Sequence, residues 1–499
     1  MVTPRKIMAF VGIILLLLLF ISLFFPEGEQ RISDQTVLKF PSVRDIFSKQ
    51  KVEYADISSI VSSGVASNDS LTEQTTETKN NLVSKKVQTD TVKVPSEELL
   101  LAIQPIEYPE DNYSVLYPFF KDLNRINQIQ HPVRIMHYGD SQIEGDRITS
   151  YIRDQLQSRF GGSGPGLLPV VQPYGQFSME QDVSENWNRY TVFGKKDKSI
   201  FHNRYGVLAS FCRFSPSQSP VDNNTFEAWF NAQIGPKSYP TAKKFNRFKI
   251  FYGYNKKPFL IQCNIGDEII DVDMIPVANH MQTLEWQFVK TPDKISVELK
   301  GEDSPDIYGL SFESNQGVIV DNIPLRGSSG LIFTKMDKDL LKTMYSQLNV
   351  KLIILQFGGN AVPYISDNYE RYGLLFYNQL NRLKTLLPGV PILIVGVADM
   401  SVKDHNQYKT YPVLPRVRDA LKEAAFKAGC AYWDMYEAMG GENSMPSWVN
   451  AEPPLASTDY VHFNHKGAKL IAEMFYNALM LEYNLYMEKK KPVNLASNY

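Results

Sequence analysis

Val133-Arg134-Ile135-Met136-His137-Tyr138-Gly139-Asp140-Ser141 reads as a short apolar strand that runs into a Gly-Asp-Ser turn, and Arg147 to Phe160 follows as a helix. A serine at a sharp strand-to-helix turn projects its hydroxyl at the carboxyl edge of a sheet, where α/β folds place their chemistry. Near the other end of the chain stands Asp459-Tyr460-Val461-His462, an acid and an imidazole close together. A serine with a histidine oriented by a carboxylate is a nucleophile with its base. These two stretches point to esterase-type chemistry.

Working outward from Ser141, the apolar residues Leu116, Phe119, Phe120, Leu123 and Ile126 recur three and four apart and predict a helix with one apolar face. After Gly166 the pattern turns to β. Phe245 to Tyr254, Phe259 to Ile265, Glu268 to Ile275, Thr283 to Val289 and Lys294 to Leu299 read as strands separated by turn residues. Short strands with few helices predict a sandwich or jelly roll. Beyond it, strands at Gly317–Ile323, Lys351–Phe357, Pro391–Val397 and Ala431–Asp434 alternate with helices at Lys335–Leu348, Asn368–Leu387 and Leu414–Ala428, and His465–Tyr483 closes as a long helix. Alternation of that kind implies a parallel, three-layer α/β sheet. The expected division is a first α/β part at 106–171, an inserted β-sandwich at 172–306, a second α/β part at 307–485 and a tail at 486–499.

The N-terminus carries a strong compositional signal. Arg5 and Lys6 precede Met8 to Phe25, eighteen residues without a charge. That run is long enough to span a bilayer, and its basic flank belongs in the cytoplasm. Residues 1–29 are read as a stub and an uncleaved transmembrane signal anchor, with a cleaved signal peptide as the competing reading. Either way the bulk of the chain lies outside the cytoplasm. Between Ala55 and Leu99 there is no aromatic residue, and Ser, Thr, Asn, Gln and Lys dominate. Such a composition buries too little apolar surface to offset the entropy of ordering it, so 30–105 is expected to be a flexible tether. A net charge of −2 over 499 residues and the lack of a long basic run give no reason to expect a nucleic acid partner. Cys212, Cys263 and Cys430 fit no metal spacing; Cys212 and Cys263 are either a disulfide or two buried thiols. Seven histidines also show no metal spacing, so neither a metal nor another cofactor is expected.

Ester hydrolysis by a serine needs a base in hydrogen-bond reach, a carboxylate to fix the base's tautomer and preorganised donors for the oxyanion. Ser141 ends the first predicted strand. Gly327, in Leu325-Arg326-Gly327-Ser328-Ser329-Gly330, follows the second, and Asn360, in Gln356-Phe357-Gly358-Gly359-Asn360, follows the third. Asp459 and His462 precede the last helix. This order resembles the four blocks of the SGNH (GDSL-type) hydrolases, over essentially all of Val133 to about Leu481 except the β block. The resemblance implies a flavodoxin-like fold with Ser141 as nucleophile, Asp459 and His462 as the acid–base pair, and Gly327, Asn360 and the Ser141 N–H as oxyanion donors. The glycine-rich turn Gly161-Gly162-Ser163-Gly164-Pro165-Gly166 and the stretches Ala431-Tyr432-Trp433-Asp434 and Ala438-Met439-Gly440-Gly441 look like the branch of peptidoglycan O-acetylesterases and O-acetyltransferases. Members of that branch carry a carbohydrate-binding-module-like β-sandwich at the place of the β block here. The resemblance therefore implies an enzyme of the inner (cytoplasmic) membrane, single-pass, with a periplasmic catalytic domain and an O-acetylated glycan as substrate. Ala361 and Gln142 depart from residues common in the family, which touches substrate detail rather than the four functional blocks.

Plainer readings stand beside these. A Gly-Asp-Ser tripeptide by itself is only a turn with a helix cap. His465 competes with His462 but is expected in the first helical turn. His137 is expected to pack on its strand, Asp140 to bind turn N–H groups, and Asp399 and His405 to lie in a solvated loop. Trp187, Tyr190, Trp229 and Trp286 are either sugar-stacking or sandwich core. Three functions remain in view: an acetylesterase, an O-acetyltransferase with the same residues, and a glycan-binding protein on a hydrolase scaffold.

Overall fold

The computed structural model describes residues 4–24, 29–33, 36–39, 52–61, 103–216, 224–364, 368–405 and 407–490. Two units separate, Met1–Glu53 and Tyr54–Tyr499. In the first, Pro4–Ser22 forms a helix with mean hydropathy 2.3, long and apolar enough to cross a membrane. Glu29–Ser33 and Thr36–Lys39 pair as an antiparallel hairpin.

The second unit is built on a six-stranded sheet. Its strands are β1 (Ile106–Glu107), β2 (Val133–Gly139), β3 (Val318–Pro324), β4 (Val350–Gln356), β5 (Ile392–Val395) and β6 (Ala431–Trp433). Their spatial order is β3-β2-β4-β5-β6-β1, parallel throughout except for the antiparallel edge strand β1. Without β1 this is the doubly wound order in which the chain reverses direction across the sheet beside its first strand, and ligands bind at that switch point. Here the switch lies at the carboxyl ends of β2 and β4.

All seven residues of β2 are buried, because helices cover both faces of the sheet. Val133 and Ile135 face a core shared with α1 (Thr149–Phe160) and the long closing helix His465–Lys489, while Met136 and Tyr138 face a core shared with α2 (Lys338–Gln347), α3 (Tyr369–Leu386) and α4 (Leu414–Lys427). Truncating such a residue, as in Ile135→Ala, costs about 2–5 kcal/mol.

Between β2 and β3 the chain forms two antiparallel sheets. One runs Met281–Gln287, Arg247–Gly253, Asp306–Glu313, Ser210–Arg213, Asn188–Thr191, with Gly166–Leu168 added on Asp306–Glu313; the other runs Glu268–Ile275, Phe259–Ile265, Lys294–Gly301, Phe226–Ile234, Met179–Val183. Phe248, Ile250 and Phe312 of one sheet share an apolar core with Phe230, Ile261 and Val297 of the other. Antiparallel pairing thus reaches outside 172–306 on both sides. The glycine-rich turn makes this feasible: a Cβ on Gly162 would lie 2.3 Å from the Val318 carbonyl oxygen, and one on Gly164 would lie 2.3 Å from that of Phe312. Chain entering the β block therefore crosses chain leaving it at backbone contact. Arg134 of β2 also joins the two parts, donating to Asp321 at 2.6 Å and to Glu313, all buried.

Several expectations change. Within the stretch read as a tether, Glu29–Ser33 and Thr36–Lys39 form the hairpin of the first unit, and residues 54–61 belong to the second, where Ile57 is buried and Ser447 Oγ donates to the Ala55 carbonyl at 2.6 Å. Ala55, Ile60 and Val61 pack against the same core as Ile57, and the Ala55 N–H donates to the Asn443 carbonyl at 3.4 Å. Residues 34–35, 40–51 and 62–102 of that stretch lie outside the described residues. The closing helix continues to Lys489, so the tail expected from 486 starts later; 491–499 lie outside the described residues. Cys212, Cys263 and Cys430 are free, buried thiols.

Candidate active site

Ser141 follows β2 and opens a short 3-10 segment, Ser141–Asp146, before α1. Asp140 caps that segment: its Oδ1 accepts from the Gln142 N–H at 3.0 Å. Asp140 is the structural carboxylate expected of the turn. Burial pushes its carboxyl up to about 6, against the lowering pull of the Gln142 N–H, of nearby His462 and of the Asn360 side chain.

The structure brings Ser141 together with His462, 321 residues further on: Oγ lies 2.8 Å from Nε2. Nδ1 of the same ring lies 2.8 Å from Asp459 Oδ2. Asp459 Oδ1 accepts from the N–H groups of Val461 at 2.9 Å and His462 at 3.0 Å. Burial pushes the Asp459 carboxyl up, but these N–H bonds and the imidazole outweigh it and hold it below its ordinary value. An ionised Asp459 accepts a hydrogen bond from Nδ1–H and keeps the proton on that nitrogen, which leaves Nε2 with its lone pair toward Ser141. The side chains of His462 and Asp459 are 32% and 49% exposed, so the relay is open to water.

The loop is held by its neighbours. Tyr460 sits at φ 60°, a left-handed conformation uncommon outside glycine. Its ring stacks on Tyr408 with centroids 3.5 Å apart and planes 7° apart, and its carbonyl accepts from the Ser401 N–H at 2.9 Å. Both partners belong to a hairpin, Ser401–Asp404 with Gln407–Thr410, that sequence reasoning missed. His465 begins the closing helix as expected, with Asn464 as its cap.

Asn360 lies beyond β4 in the cleft that holds Ser141 and His462. Its Nδ2 donates to the Ser328 carbonyl at 3.3 Å, which joins the third block to the loop of the second. Gly327 precedes Ser328 and has φ 78°, which a glycine adopts without strain. The cleft has a volume of about 220 Å3 and is walled by Val397, Ala398, Met400, Tyr411 and Val461. Val461 comes from the histidine loop; the other four do not stand out in the sequence and arrive through the loop after β5 and the chain that leaves the hairpin.

Other candidates fall outside the relay. His137 packs on β2, with Nε2 3.0 Å from Gln356 Oε1 and Nδ1 3.1 Å from Thr149 Oγ1, and burial holds it down at about 4. Asp399, expected in a solvated loop, is fully buried. It accepts from Thr410 Oγ1 at 2.8 Å and from the Met445 N–H at 2.7 Å, because the hairpin and the helix Ser444–Asn450 cover that loop. His405 is exposed on the hairpin turn. In the β block Trp187 and Tyr190 are core, Trp286 stacks on Phe248 with centroids 5.4 Å apart, and Trp229 is 38% exposed.

Together, the sheet order, the serine at the switch point and the histidine that Asp459 orients give the second unit a flavodoxin-like α/β fold with a Ser–His–Asp relay at its switch point. The chain is similar to the solved structure of a peptidoglycan O-acetylesterase, with a TM-score of 0.58 and 19% identity, covering 74% of this chain and 96% of that one. An acetyl xylan esterase matches over 32% of this chain and 81% of its own at 13% identity, and a family two carbohydrate esterase from Cellvibrio japonicus over 62% and 99% at 10% identity. Their TM-scores are 0.26 and 0.24. No protein-family model and no curated protein matches the sequence.

Proposed function

We propose that the chain is a membrane-tethered, extracytoplasmic serine esterase that removes O-acetyl groups from a polysaccharide, with peptidoglycan as the leading substrate. The observation that carries this reading is the unbroken relay from Ser141 Oγ through His462 to Asp459, with both contacts at 2.8 Å. His462 Nε2 takes the hydroxyl proton as Oγ attacks the acetyl carbonyl carbon. The oxyanion is held by the N–H groups of Ser141 and Gly327 and by Asn360 Nδ2. Collapse expels the sugar oxygen, which leaves with the proton from His462. Water, deprotonated by His462, then attacks the acetyl-Ser141 ester; the bond to Oγ breaks, acetate leaves and His462 returns the proton to Ser141 Oγ.

A cleft of about 220 Å3 suits an acetyl group better than a long acyl chain. The partly exposed relay favours water over a sugar hydroxyl as acceptor, and so an esterase over a transferase. In this reading the helix Pro4–Ser22 is the anchor in the inner membrane, the antiparallel block from Gly166 to Glu313 is an inserted module, and the chain on either side of it, from Ile106 and on to Lys489, forms the catalytic fold. Acetate release from O-acetylated peptidoglycan, acetylated xylan and a chromogenic acetate tests the proposal. Turnover that survives Ser141→Ala on all three would end it, and acetate transfer to an added glycan in preference to water would favour the transferase.

A further inference from the structure

A second cleft, of about 680 Å3, lies beside the relay, between the turn after Ser141 and residues 174–180 and 236–237 of the β block. Its base is firmly built. The Phe177 N–H donates to the Gly145 carbonyl at 3.2 Å, and buried Arg153 binds both oxygens of Asp146, at 2.6 and 3.0 Å, and Ser178 Oγ at 3.1 Å.

The cations around this cleft adjoin the reaction centre. Arg147 lines it; Nε donates to the Glu144 carbonyl at 2.9 Å and Nη1 to the Phe463 carbonyl at 3.2 Å, Phe463 being the residue after His462. Its hydrogen-bond partners are neutral carbonyls, so its charge is balanced only through space, by Glu144, Asp459 and Asp140, and by no direct ion pair. Arg326, the residue before Gly327, is 59% exposed, stands over the Tyr174 ring at 5.3 Å from its centroid and lies 3.7 Å from Glu144 Oε1. With its guanidinium exposed and a separation of 3.7 Å, the pair is weak and gives way to a better-placed carboxylate. Lys237 lines the far wall. The opposing carboxylates are Glu144 and Glu180, and Glu180 already accepts from Gln233 Nε2 at 2.7 Å.

We propose that this cleft is a subsite for an acidic glycan: Arg326, Arg147 and Lys237 take carboxylates of the strand whose acetyl group lies at Ser141, and Tyr174 offers a ring face to the neighbouring sugar. The inference rests on the esterase reading and deepens it, because a neutral polymer has no use for three cations here. The carboxylate belongs either to a sugar ring or to a peptide on the sugar.

The test compares kcat/KM on O-acetylated peptidoglycan, an O-acetylated polyuronate and acetylated xylan for the wild type, Arg326→Ala, Lys237→Ala and Arg326→Lys. Loss of one charge-assisted hydrogen bond is worth about tenfold. The ratio of acidic to neutral kcat/KM is expected to fall about tenfold in Arg326→Ala, mainly through KM, and to recover in part in Arg326→Lys. Added salt should shrink the wild-type ratio. The acidic polymer that loses more identifies the source of the carboxylate. An acidic-to-neutral ratio unchanged in both alanine variants overturns the proposal. Binding of the non-acetylated acidic polymers by calorimetry separates this failure from failure of the esterase reading: weaker binding by Arg326→Ala without turnover supports the subsite alone, and equal binding by both proteins overturns it.

Discussion

Gln142, the residue after Ser141, donates from Nε2 to the carbonyl of Val461, the residue before His462, at 2.7 Å. The hydrogen bond ties the serine turn to the histidine loop across 319 positions of sequence. It fixes the approach of Nε2 to Oγ from the backbone on both sides. Gln142→Ala should therefore lower kcat about tenfold, the effect of losing one hydrogen bond's worth of positioning, with little change in KM. Steady-state kinetics on a chromogenic acetate checks this, and a wild-type kcat would show that the tie does not position the base.

Asp459 sets the tautomer of His462. Asp459→Asn keeps the shape but presents either an amide N–H or a weaker acceptor to Nδ1. We expect kcat to fall by about a thousandfold or more, as tautomer loss does in triads of this kind. A fall of less than tenfold at neutral pH would make Asp459 a loop-former only.

Asn360 is the only proposed oxyanion donor that is a side chain. Asn360→Ala should lower kcat about a hundredfold or more, with KM changed much less. Equal losses on substrate binding and turnover would point instead to collapse of the contact with Ser328.

Asp140 links the site to stability. Its folded-state value, about 6, lies above the ordinary 3.8. The native state therefore holds the proton more tightly than the unfolded chain. The stability this gives is complete below about pH 4 and is lost as pH rises to about 6, a span of about 3 kcal/mol. Asp140→Asn retains the acceptor for the Gln142 N–H and removes the titration. Denaturant unfolding at pH 4.5 and 7.5 should show the variant gaining on the wild type at the higher pH. Parallel pH dependence of the two proteins would contradict this.

Arg134 holds two buried carboxylates. Glu313, with Lys249 also 2.7 Å away, is held down at about 2 by its cations in spite of burial, whereas Asp321 is raised by burial and has an Oδ2 without a partner. Arg134→Met leaves buried Asp321 without a cation and Glu313 with Lys249 alone, which costs about 3–5 kcal/mol in unfolding free energy. Chemical denaturation measures it; a loss under about 1 kcal/mol would show that the junction between sheet and β block does not depend on this arginine.

The sheet and its helices were legible because their signals are local. Phe259–Ile265 and Glu268–Ile275 are found where alternation put them, and β2, β3 and β4 are displaced from their expected spans by at most one residue at either end. Ser141, His462 and Asp459 were legible as residue types at strand ends and in one late loop. The hairpin around Tyr408 was not, since four-residue strands beside an active site carry too little periodicity. Asp399 was misplaced for the same reason: its burial depends on Thr410 and Met445 from elements that do not announce themselves. The cationic cleft was also hidden, because Arg147, Lys237 and Arg326 are distant in sequence and meet only where the β block folds back on the serine turn.

The most direct test is intact-mass and peptide mapping of protein quenched during turnover of an activated acetate ester. The account predicts an acetyl group on Ser141 in the wild type, accumulating as substrate concentration rises, and none in Ser141→Ala. Full turnover by Ser141→Ala, or an acetyl group mapped to another residue in the wild type with Ser141 unmodified, would contradict it.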